Sequence, residues 1–80
     1  MSYGTINTGA WHAVYQDMPQ AKQHTVDLAV DCVFTELKNA GYKTSGDDSA
    51  EELVAAVTRF MVKSNPENFQ EFRAITERLG

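Results

Sequence analysis

The sequence predicts an all-α fold, a small bundle of three main helices at about 19–40, 49–63 and 66–79, with a short N-terminal helix near 9–16. Three observations carry that expectation. Apolar residues recur at helical spacing along each long segment, and Gly41 and the Asn65-Pro66 pair punctuate between them. No run alternates apolar and polar residues as a half-buried strand would. With 80 residues, a single domain spanning 1–80 is expected, with residues 1–8 flexible.

The first eighteen residues are rich in Gly, Thr, Asn and aromatics. Helical spacing begins where Trp11, Val14 and Tyr15 fall at i, i+3 and i+4, and Thr8 is the expected cap. Trp11, Tyr15 and Met18 then have two destinations, the end of the helical core or a contact surface for a partner.

Pro19 suits a first helical position, and the pattern runs from there to Ala40, with Gly41 as the residue that stops it. At 100° per residue, Val26, Ala29, Val30, Val33, Phe34 and Leu37 fill one arc. His24, Asp27, Asp31, Thr35 and Lys38 line the opposite one. Leu28 and Cys32 flank the polar arc, which calls for a second cover from the N-terminal segment or another subunit. Cys32, the single cysteine, reads as a small buried hydrophobe.

The next helix has its start written out. Gly46 and the Asp47-Asp48 pair supply turn chemistry, and both Asp48…Glu51 and Ser49…Glu52 have capping-box spacing. Ala50, Leu53, Val54, Val57, Phe60 and Met61 are expected on its apolar face. Asn65-Pro66 ends it and opens the last helix, because Asn caps and Pro fits the first turn. Phe69, Phe72, Ile75 and Leu79 are the apolar stripe of that helix.

Composition narrows the function. Seven basic residues against eleven acidic ones give a net charge of −4, which opposes attraction to phosphate backbones and anionic lipid. No stretch approaches the roughly 20 apolar residues that span a bilayer, and the start has no secretory pattern, so a cytoplasmic protein with no membrane partner is expected. One cysteine makes no intrachain disulfide.

Constellations that carry chemistry are sparse. His24, Asp27 and Asp31 share a helical face, but a metal centre needs three or four ligands with an ordered second shell, and this face reads as solvated. Cys32 lies mid-helix among apolar residues, a poor setting for a thiolate. The carboxylates at 47–52 are explained by a helix N-terminus, where negative charge is favourable. No catalytic residue, metal or cofactor is assigned, and the chain is read as a non-enzyme. The tight junction at Asn65-Pro66 invites a helix-turn-helix comparison, yet the last helix sets Glu67, Glu71 and Glu77 against Arg73 and Arg78 where phosphates would approach.

Two resemblances bear on the same segment. Gly46-Asp47-Asp48-Ser49 leading into Glu52-Leu53-Val54 resembles the Asp-Ser-Leu region of acyl carrier proteins, which implies phosphopantetheine on Ser49. The chain departs from that pattern with Ala50 in place of Leu or Ile and with a shorter preceding loop. The run from Ser49 to Phe60 is similar to the second helix of the immunity proteins of nuclease colicins, which implies a toxin-neutralising style of binding with selectivity on that helix. The paired tyrosines of that family are absent, and Phe69 and Phe72 are spaced for a helix face.

The expected function is noncatalytic binding of another protein, of adaptor, inhibitor or regulator type, with a homodimer as a further possibility. Candidate contact residues are Asp47, Asp48, Glu51, Glu52, Trp11, Tyr15 and Leu28. The alternatives are a phosphopantetheine-type carrier modified on Ser49 and a small helix-turn-helix-like nucleic-acid binder.

Overall fold

The computed structural model describes residues 6–44 and 47–79, with the side chains of 47–49 outside the description. Among the described residues four α-helices follow one another: α1 (Thr8–Asp17), α2 (Gln20–Asn39), α3 (Asp47–Ser64) and α4 (Arg73–Leu79). A 3-10 segment, Pro66–Phe72, joins the last two. Among the described residues there is no strand, and the all-α expectation holds.

Helix α1 is capped one residue earlier than the sequence suggested. The Asn7 side chain accepts from the Ala10 amide at 3.1 Å, and Thr8 is already helical. Asn is at least as good a cap as Thr, so the adjacent pair had two solutions. Of the stretch expected to be flexible, residues 1–5 lie outside the described residues, while Ile6 packs against the core. Trp11 is 1 % exposed, and Val14 and Met18 are buried with it. Of the two destinations open to Trp11 and Met18, both take the core. Truncating a ring so fully enclosed costs about 3–5 kcal/mol, a large share of the stability of a domain this small. At the other end of α1, the Gln23 amide donates to the carbonyls of Tyr15 (2.8 Å), which also accepts the Met18 amide, and Gln16 (3.1 Å), one of the groups that a helix end leaves open.

Pro19 caps α2 rather than sitting inside it, and its carbonyl accepts from the amides of Lys22 and Gln23 at 2.9 and 3.0 Å. Gly41 stops the helix as expected, with φ +91. The amide of Gly41 donates to Lys38 O and that of Tyr42 to Leu37 O, the paired bonds of a Schellman turn. Val26 and Val30 are buried by the rest of the bundle. Cys32 is exposed and Leu28 is 56 % exposed, because α1 packs principally along α3 and leaves the back of α2 uncovered. The expected burial of Cys32 and cover for Leu28 are both corrected by that placement.

Helix α3 starts at Asp47, so Ser49 lies within its first turn instead of opening it. Ala55, Thr58 and Val62 are its most buried positions, with Leu53, Val54, Val57 and Met61 half-buried around them. Phe60, expected on the apolar face, is 72 % exposed. At 100° per residue it stands 200° from Thr58, the centre of the buried face. Leu53, Val54, Val57 and Met61 do pack against the core as expected, so the buried face is turned to one side of the expected one, and its centre carries a hydroxyl.

The last expected helix is broken. Phe69 has non-helical dihedrals (φ −131, ψ 39) within the 3-10 segment, and α4 begins only at Arg73. Three residues per turn set side chains at i and i+3 in line. Phe69 and Phe72 are both buried, with ring centroids 6.4 Å apart. Asn65 finishes α3 instead of capping the 3-10 segment: its side chain donates back to Met61 O at 2.9 Å and makes no forward cap bond. Lys22 clamps the segment from across the bundle. Its ammonium donates to Asn68 O, lies 3.4 Å from Glu71 Oε2 and sits 4.4 Å over the Phe69 ring. The start of α2 thus lies beside the chain just beyond α3.

Candidate protein-binding surface

The core line of α2 runs past its cover. Val26, Val30, Val33 and Leu37 stand at i, i+4, i+7 and i+11, one stripe on one side of the helix. The first two are 0 % and 7 % exposed, but Val33 is 37 % and Leu37 38 % exposed. The Schellman turn then reverses the chain just beyond Leu37, a geometry in which the residue after the glycine commonly packs near that position. Here that residue is Tyr42, 67 % exposed. Phe34 on α2 and Leu53 and Val54 on α3 are half-buried and pack against the core.

This end also holds most of the negative charge. Residues 33–54 carry five acidic side chains (Glu36, Asp47, Asp48, Glu51, Glu52) against two basic ones (Lys38, Lys43), a net of −3 out of −4 for the whole chain. Glu36, Glu51 and Glu52 are exposed. Asp47 and Asp48 lie in the first turn of α3, where the macrodipole favours negative charge. Their side chains, and that of Ser49, fall outside the described residues, so the expected capping boxes do too.

The sequence-derived contact residues do not form one surface. Asp47, Asp48, Glu51 and Glu52 share the start of α3, whereas Trp11 is enclosed in the core and presents nothing to a partner. Tyr15 is half-buried and its hydroxyl donates to Asp27 Oδ1 at 2.5 Å, tying α1 to α2. That hydrogen bond, then burial, then the negative charge of Asp27 all hold the Tyr15 phenol above its ordinary pKa. Leu28 is exposed, but on the back of α2, 200° from both Val26 and Val30. Val33 and Leu37 were missed as surface residues because sequence spacing marks a core face without marking where its cover ends, and Tyr42 because it falls in a loop that has no spacing to read.

Other places in the molecule hold less. Among the described residues no three His, Cys, Asp or Glu side chains come together as metal ligands, and the Asp27 carboxylate is engaged by Tyr15. A groove of about 440 Å³ lies beside the 3-10 segment, floored by Val62 and Phe69, but its rim mixes Lys63, Glu67, Arg73 and Glu77. Arg73 is paired with Glu77 at 3.6 Å. The segment compared with a reader helix is interrupted at Phe69, leaving a seven-residue α4, about 10 Å long. No helix among the described residues is long and apolar enough to cross a membrane.

No family model, no curated protein and no solved structure matches the chain, so its functional reading rests on its own residues.

Proposed function

We propose that this chain is a noncatalytic binding protein, of adaptor, inhibitor or regulator type, that docks another protein on the acidic end formed by the last turns of α2, the turn after it and the first turns of α3. One observation carries the reading: a single apolar stripe on α2 is covered at Val26 and Val30 and left open at Val33 and Leu37, with Tyr42 open beyond them. Leaving apolar side chains in water forfeits roughly 25 cal/mol per Å² that burial would return. A partner laid over that end completes the core face. The surrounding carboxylates steer the encounter and set its salt dependence. The setting we assign is the cytoplasm, where an exposed thiol such as Cys32 stays reduced.

Affinity capture from the native cell tests this reading with two baits, the wild-type chain and a Leu37→Ser/Tyr42→Ser variant. A protein retained by the first and lost from the second is expected. Retention of the same proteins by both baits, with the variant folded by circular dichroism, removes the reading.

A further inference from the structure

The open stripe and the charge around it specify the kind of partner, and this step rests on the proposed docking at that end. Val33 and Leu37 lie four residues apart on one face of α2, a single stripe and not a broad plate, and Tyr42 is exposed in the turn that follows the helix. Such an apolar stripe is a surface onto which an amphipathic helix lays residues at i, i+3, i+4 and i+7. The stripe is short. From Val33 to Leu37 the helix rises about 6 Å, and with the turn beyond it this matches about two turns of a partner helix.

Charge selects among possible occupants. A second copy of this chain would bring a net of −3 against a net of −3, a repulsive pairing at close range. An acidic or phosphorylated segment meets the same barrier. A segment whose apolar residues are flanked by Lys and Arg meets a stretch of net charge −3, with Glu36, Glu51 and Glu52 exposed to receive it. We infer that the surface formed by Val33, Leu37 and Tyr42, flanked by Glu36 and the acidic start of α3, takes a short cationic amphipathic helix of a partner protein.

Three synthetic peptides of one length test this, each with leucines at i, i+3, i+4 and i+7, and with lysine, glutamine or glutamate at the remaining positions. Each is titrated into the isotope-labelled full chain, and the backbone amide shifts are followed by NMR. The lysine peptide is expected to move the amides of residues 33–42 and 50–54, and its Kd to rise about tenfold between 20 and 300 mM salt as screening grows. It is also expected to weaken about tenfold with Leu37→Ser, the equivalent of about 1.4 kcal/mol. Tyr42→Ser, at a more exposed position, is the second variant should Leu37→Ser disturb folding.

Equal binding of the glutamine or glutamate peptide on the same amides overturns the cationic preference while leaving the docking surface in place. Lysine-peptide shifts that map elsewhere, or no shifts at residues 33–42, overturn the inference, and the capture experiment then judges the docking reading independently. Sedimentation as a dimer, with those amides protected, assigns the surface to a second copy and overturns both.

Discussion

Thr58 is fully buried at the centre of the α3 core face, and its hydroxyl has no hydrogen-bond partner among the described residues. Two other helical threonines show the usual remedy: Thr25 donates to Ala21 O at 3.3 Å and Thr76 to Phe72 O at 2.9 Å. Thr58 makes no such bond. Burying an unpaired hydroxyl costs about 1–3 kcal/mol in proteins. Valine has the same shape with a methyl in its place, so Thr58→Val is expected to stabilise the fold by about 2 kcal/mol. At roughly 2.1 cal/mol/K of unfolding entropy per residue, an 80-residue chain gains about 12 °C in Tm. Urea unfolding followed by circular dichroism gives the free energy, with an unchanged m-value showing that the surface exposed on unfolding is the same in both proteins. Thr58→Ser keeps the hydroxyl and deletes the methyl, so it is expected to cost about 1 kcal/mol. A Thr58→Val protein equal to or less stable than wild type would refute the reasoning, since the hydroxyl must then be satisfied in the folded state.

Two further predictions concern the frame that positions the binding end. Gly41→Ala forces an alanine to φ +91, while a Cβ there meets nothing within 4 Å, so the cost is backbone strain alone, about 1–2 kcal/mol. A thermal melt within about 1 °C of wild type would show that the turn is not left-handed. The Tyr15–Asp27 bond sets an alkaline limit. The phenol pKa is raised above 10.0 by folding, so its contribution is complete below pH 10 and is lost as pH rises through the folded value. Wild type is therefore expected to lose more stability than Tyr15→Phe between pH 9 and 11.5, and parallel losses in the two proteins would remove the bond from the explanation.

Local chemistry made much of the fold legible. Gly41 works as a stop because a glycine accepts positive φ, and the stripes of α2 and α3 arise from apolar spacing, which the fold preserves. What depends on neighbours was hidden. Phe60 leaves its expected face and Thr58 is buried because α3 packs against both α1 and α2, and the centre of its buried face is set by that geometry rather than by side-chain polarity. The break at Phe69 reflects two rings seeking one side of the chain, together with the reach of Lys22, a contact 46 residues away in sequence. The acidic half of the candidate surface was legible as a helix start. Its apolar half was not, since Val33 and Leu37 differ from Val26 and Val30 only in what lies across from them.

The docking of another protein on the acidic end of α2 and α3 is tested most directly by a photo-crosslinking amino acid placed at Tyr42 and, separately, at Ala13, an exposed position on α1. Irradiation of the native cell is expected to convert the Tyr42-labelled chain to a discrete heavier adduct and to leave the Ala13-labelled chain at its own mass. Adducts of the same size and yield from both positions, or none from Tyr42, would contradict the assignment of that end as the surface through which this protein acts.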